Sequence, residues 1–241
     1  MITTAGADIK RFEDNFLRKD SFLSQKLYCE YLAAKDVNLN NFYCYENLNL
    51  MLSGANLSCA GTVREHQKES LISFCSFMGV YFLESWQDDL CSFPKQTLSL
   101  MEYTGTAEEN SEIIQDENIY GFAAFCARNF EDVSFDMVYS SFARKINKNL
   151  GHAYCLNKDG QTVSAAFACD YGDSVYITFV STAPAQRKKG YASRVIRHIA
   201  AGSGGKKVML MCEDRLKGYY SKLGFRHRHN IYLYKMRNDN L

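Results

Sequence analysis

The sequence has no C-x-x-C pair, and its nine cysteines are scattered from Cys29 to Cys212. An odd number without pairing signatures argues against a disulfide framework and against a zinc site, and fits free thiols in a reducing cytosol. The opening residues MITTAGADIKRFED carry no apolar h-region, so a secretory leader is not expected. No run reaches the ~18 consecutive apolar residues of a membrane helix. Helix-turn-helix and zinc-finger spacings are missing, and the basic residues do not alternate with aromatics as in a single-strand binder. What is present is an ordinary globular composition, 46% hydrophobic and 23% charged, in 241 residues. That length fits one large domain or two small ones.

The formal net charge of +1 conceals an asymmetry. Residues 1–143 hold 10 Lys/Arg against 21 Asp/Glu, a net of −11; residues 144–241 hold 18 against 6, a net of +12. Either a basic face docks on an acidic half, or the C-terminal part handles an anionic ligand.

Helical spacing runs from Asp8 to Lys35, with apolar residues at Ile9, Phe12, Phe16, Leu17, Leu23, Leu27 and Tyr31. Short strands are expected at Phe42–Tyr45 and Leu48–Leu52, then a helix over Val63–Met78 with Thr62 as cap and Gly79 as stop. Val80–Leu83 and Thr97–Tyr103 are further strands. This gives a small α+β domain over residues 1–105, without a catalytic pattern. The acidic stretch Thr104–Asn118 reads as a linker.

Residues 118–241 read as a second domain with the order α-α-β-β-β-α-β-α-β. Helices at Ile119–Asn129 and Ser134–Lys148 precede strands at His152–Leu156 and Thr162–Cys169, joined through Asp159-Gly160. Val175–Thr182, Lys207–Cys212 and Phe225–Met236 are the later strands, with helices at Gly190–Ala201 and Leu216–Leu223 between them. Hairpins give antiparallel pairs and a helical crossover gives a parallel pair, so a mixed sheet is expected.

The chemistry concentrates in VSTAPAQRKKGYASRVI, residues 180–196. A strand leads through Pro184 and three cations, Arg187, Lys188 and Lys189, to Gly190 and a helix. The N–H groups of such a helix start attract phosphate-type anions. GSGGKK at 202–207 lacks the spacing of a phosphate loop and runs from helix to strand, so it is a connector. His227 and His229 share a strand face with no third ligand evident, which favours a solvated basic strand over a metal site.

Val180, Thr182, Pro184, Arg187, Gly190 and Ala192 resemble the acetyl-coenzyme A signature of the GNAT superfamily of N-acetyltransferases. Lys188 departs from the commoner glycine. Tyr220-Ser-Lys-Leu-Gly-Phe225 resembles that family's Y-x-K-L-G-F run. The resemblance covers about residues 118–241 and implies a GNAT fold, α+β with a central mixed sheet. The first domain is then either an unrelated α+β unit or a degenerate copy of the same fold.

Acetyl-coenzyme A is the implied co-substrate. Residues Arg187, Lys188, Lys189, Gly190, Tyr191, Ala192 and Ser193 would hold its pyrophosphate, and Phe179, Val180 and Ser181 its pantetheine arm. A backbone N–H near Val180 would stabilise the oxyanion, and Tyr220 would protonate the leaving sulfur. A tyrosine with an ordinary pKa near ~10 holds its proton at neutral pH. Glu213, Asp214, Asp170 and His152 are candidate bases for the amine. The expected partner is a small-molecule or peptide amine, with no nucleic acid, no membrane, no metal, and a homodimer in reach. Two rival readings are a non-catalytic acyl-coenzyme A sensor and a basic nucleic-acid or protein interaction domain.

Overall fold

The computed structural model describes residues 1–16, 21–37, 39–116, 119–131 and 133–237. Leu17 and Asn118, named above, lie outside them. The chain divides into two compact units. The first holds residues 1–100, 212–214 and 229–241; the second holds 101–211 and 215–228. The last stretch of chain, from His229 on, therefore belongs with the N-terminal residues, whereas the sequence had grouped it with 118–228.

In the first unit a two-residue strand β1 (Thr3–Thr4) precedes α1 (Ile9–Phe16) and α2 (Phe22–Ala34). The helical region expected from the sequence consists of two helices, and Ser21 starts the second by accepting the Ser24 N–H at 3.2 Å. Three strands follow: β2 (Phe42–Tyr45), β3 (Leu48–Ser53) and β4 (Asn56–Ala60). They pair antiparallel in succession. Helix α3 (Glu65–Phe77) then leads to β5 (Phe82–Ser85), which lies parallel to β4. Gly79, at φ +69°, ends α3 as expected. The helix begins later than the sequence suggests because the Gln87 side chain takes the Val63 N–H at 2.6 Å. Thr62 is therefore not its cap; the Gln67 side chain instead accepts the Arg64 N–H at 2.8 Å. The core of this unit gathers Leu48, Leu50, Leu57, Leu71, Leu83 and Tyr234.

One buried charge cluster sits between β4 and β5. Lys26 of α2 reaches both oxygens of Glu84, at 2.8 and 2.7 Å, and the Ser58 hydroxyl donates to the same carboxylate. Only 8% of the Glu84 side chain is exposed. Removing one partner of such a pair strands the other charge in low dielectric. Glu84→Ala will cost about 3 kcal/mol in chemical denaturation. A Lys26→Met/Glu84→Leu double variant will recover most of that loss, because no lone charge is left behind.

Strand β6 (Lys95–Tyr103) passes from the first unit to the second. The stretch read as a linker is structured in the second unit, where β7 (Ile113–Asp116) pairs antiparallel with β8 (Gly151–Lys158). Between them run α4 (Ile119–Asn129) and α5 (Phe135–Asn147). Ser134 caps α5 by accepting the Met137 N–H at 3.2 Å. Strands β9 (Gln161–Asp170) and β10 (Ser174–Thr182) continue the antiparallel series. The Asp159-Gly160 turn has both residues at positive φ, +50° and +73°, the geometry a two-residue hairpin requires. Helix α6 (Tyr191–Ala201) crosses to β11 (Lys207–Glu213), which is parallel to β10. Helix α7 (Asp214–Leu223) and β12 (Phe225–Lys235) close the chain.

Each unit follows one path: a short strand, two helices, three antiparallel strands, a crossover helix and a parallel strand. The core of the second unit is aromatic and aliphatic, with Phe122, Phe142, Phe167, Val195, Ile196 and Ile199 buried.

All nine cysteines are free, and eight are buried. Burial pushes the thiols of Cys59, Cys75, Cys126 and Cys155 up to about 12. An unfolded thiol deprotonates near ~8.5, so between that value and about 12 the unfolded chain has lost protons that the folded chain keeps. Stability will hold at neutral pH and fall as pH rises beyond about 8.5. A melting series from pH 7 to 10.5 reads this directly; a flat profile would contradict the burial of these thiols.

Candidate functional site

The site is built on β10. Its antiparallel register with β9 runs from Val175↔Asp170 to Thr178↔Phe167 and resumes at Ser181↔Ala165. Phe179 and Val180 thus oppose the single residue Ala166, which is a β-bulge. Phe179 takes φ +52°, a conformation that a bulky residue adopts only when its surroundings impose it. The bulge is fixed from behind by Ser164, fully buried on β9, whose hydroxyl donates to the Ser181 carbonyl and pairs with Thr182 Oγ1, both at 2.9 Å.

On the other side, the parallel register with β11 covers only Ser174–Tyr176 against Lys207–Met209. Strand β10 itself continues to Thr182. The two parallel strands therefore part after Tyr176, ahead of the bulge, which leaves a strand edge able to hydrogen-bond an extended ligand.

The chain then enters a 3-10 turn at Pro184–Gln186. Arg187 braces it: its Nε donates to the Thr182 carbonyl at 3.3 Å, and its N–H to Pro184 O at 3.3 Å. Lys188 and Gly190 have φ of +64° and +77°. Gly190 is the N-cap of α6, and no side chain caps this helix. The N–H groups of its first turn, at Tyr191, Ala192 and Ser193, have no carbonyl one turn back to bond. A Cβ on Gly190 would meet nothing within 4 Å, so space is open there. Open space, uncapped donors and the positive end of the helix dipole fit a phosphate-type anion.

Part of the charge asymmetry is matched internally. Glu112 binds both Lys158 and Arg194, which hold its carboxyl below the usual range. Glu108 pairs with Arg197 at 3.8 Å, and Asn110 donates its N–H to His198 Nδ1 at 3.1 Å. The acidic stretch therefore lies along α6. Lys206 pairs with Asp170 at 2.6 Å and Arg228 with Glu102 at 2.8 Å. Among the described residues, Arg187, Lys188 and Lys189 enter no ion pair, so the cations of the loop are available to a ligand.

Tyr220 lies on α7, buried, with its ring edge-on to Phe225 at 5.6 Å and to Tyr219 at 5.1 Å. Gly224 takes φ +106°, and a Cβ there would come within 2.8 Å of the Gly105 Cα, so only glycine fits this position of the Tyr220–Phe225 run. Among the candidate bases, Asp170 holds Lys206 and accepts the Gly172 N–H at 2.9 Å. The His152 ring nitrogen sits 2.9 Å from the Gln115 amide, and Asp214 accepts from Ser99 at 3.5 Å. Each of the three thus has a polar partner within the protein. Ser164 and Glu112 were not singled out from the sequence; a serine within an apolar strand run is the signal that marked the first. Among the described residues no group of three His, Cys, Asp or Glu could hold a metal ion, and no helix is long and apolar enough to cross a membrane.

The corresponding place in the first unit is built differently. There β3 and β4 pair without a register shift, from Asn49↔Ala60 to Ser53↔Asn56. Only Gly61–Arg64 separate β4 from α3, and glutamine side chains already take the N–H groups of Val63 and Arg64. No anion cradle is formed.

A bulged strand that parts from its parallel neighbour and feeds an uncapped, glycine-started helix suits an extended ligand ending in an anionic group. The family model for the acetyltransferase (GNAT) family matches residues 82–225, and the chain belongs to that family. Solved structures share the fold over nearly the whole chain. A GCN5-related N-acetyltransferase from Sphaerobacter thermophilus is 12% identical, with 95% of this chain and 90% of that one covered at a TM-score of 0.58. A GNAT-family acetyltransferase from Colwellia psychrerythraea is 14% identical, covering 98% and 100% at 0.55. A conserved protein of unknown function from Staphylococcus epidermidis is 12% identical, covering 85% and 99% at 0.60. No curated protein gives a significant match.

Proposed function

We propose that the protein is an N-acetyltransferase that moves an acetyl group from acetyl-coenzyme A to a primary amine by direct transfer. The observation that carries this is the combination in the second unit of the Phe179–Val180 bulge with the uncapped start of α6. Backbone N–H groups of residues 188–193, with the side chains of Lys188 and Lys189, bind the pyrophosphate on the loop that Arg187 braces. The opened edge of β10 at Phe179–Ser181 bonds the pantetheine arm as an added strand would. The Val180 N–H faces the developing oxyanion. The neutral amine nitrogen attacks the carbonyl carbon, the carbon–sulfur bond breaks as Tyr220 protonates the departing thiolate, and the proton the nitrogen gives up passes to solvent, from which Tyr220 is reprotonated.

The first unit is a degenerate copy of the same fold that binds no cofactor. Its matching order of elements supports this, and its missing bulge and four-residue connection explain the lost site. Free, buried cysteines favour a cytoplasmic setting.

The test is a panel of primary amines assayed for free coenzyme A thiol. Release that depends on an amine supports transfer. Coenzyme A binding without turnover of any amine would leave only a binding module.

A further inference from the structure

The bulge residue Phe179 carries an aromatic ring that packs on two others. Phe179 meets Phe130 edge-on at 5.5 Å and 75°, and Phe142 at 5.2 Å and 83°. Phe142 in turn stacks on Phe167 at 4.1 Å. Phe142 and Phe167 are buried, whereas Phe130 and Phe179 are half-buried. The series thus starts in the core and ends on two partly open rings. One belongs to the residue before Val180; the other directly follows α4 and is anchored by its own N–H to the Cys126 carbonyl at 3.0 Å.

We infer that Phe130 and Phe179 form a wall of the acceptor site, and that the acceptor is a primary amine carried on an apolar or aromatic group. This rests on the transfer reading, which puts the acetyl carbonyl at the Val180 N–H. Half-open aromatic rings gain when an apolar group covers them. A polyhydroxylated amine brought against the same rings would leave hydroxyls unpaired. An ammonium group is also tolerated by ring faces before it loses its proton.

The full-length protein is assayed with 2-phenylethylamine, ethanolamine and glucosamine at saturating acetyl-coenzyme A. The expected result is a kcat/KM for 2-phenylethylamine at least about tenfold above both others. Phe130→Ala will reduce that preference severalfold through KM for the amine, and Phe130→Leu will restore most of it. The thermal shift given by coenzyme A will be the same in both variants. Equal use of the three amines, or a preference that survives Phe130→Ala, overturns the inference while transfer itself stands. Coenzyme A binding with no amine turned over overturns the transfer reading and this inference with it.

Discussion

A Gly190→Pro variant will give no thermal shift with acetyl-coenzyme A. Gly190 holds φ +77° at the start of α6. Proline fixes φ near about −65° and has no N–H, so the loop cannot keep its path and loses one donor. For the unaltered protein, ligand at about 100 times its Kd stabilises by about 2.7 kcal/mol, a rise in Tm of roughly 5–10 °C. That rise will vanish in the variant. Its far-UV circular dichroism will stay close to that of the parent, because the change is confined to an exposed loop and the first turn of α6. Arg187→Glu tests the same site without touching Gly190. It removes the strut to the Thr182 carbonyl and sets a carboxylate where an anion is expected. Unchanged affinity in both variants would remove the basis for the cofactor site.

Tyr220→Phe will lower kcat by about a hundredfold or more, the usual range for losing a positioned general acid. The affinity for acetyl-coenzyme A will not change. The ring keeps its edge contact with Phe225, so the fold and the melting temperature will be close to those of the parent. The assay is again thiol release, now compared with Tyr219→Phe, whose side chain is 44% exposed and lies outside the motif register. Equal losses in the two variants, or none in Tyr220→Phe, would assign the proton to another donor.

Local chemistry wrote much of the second unit into its sequence. The Asp159-Gly160 hairpin, the Ser134 cap, the helix over Ile119–Asn129 and the loop from Pro184 to Ala192 depend on neighbours in the chain, and each stands where it was expected. Strands whose partners are distant were less legible. Asn56–Ala60 is a short polar-edged segment that becomes β4 only between β3 and β5. Ile113–Asp116 lies in an acidic stretch and becomes a strand by pairing with β8. Glu108 and Glu112 of that stretch pair with Arg197 and Arg194 of α6, so part of the C-terminal positive charge is matched within the protein.

By itself the sequence determined the loop on which the donor site is proposed, because a proline, three cations and a glycine before a helix are local features that suit an anion-binding turn. Only the tertiary structure decided that β10 bulges at Phe179. A phenylalanine does not choose φ +52° from local preference. Pairing with β9 on both sides, the Ser164 bond and the packing of Phe130 and Phe142 hold it there, and those forces come from residues that the chain brings together only on folding.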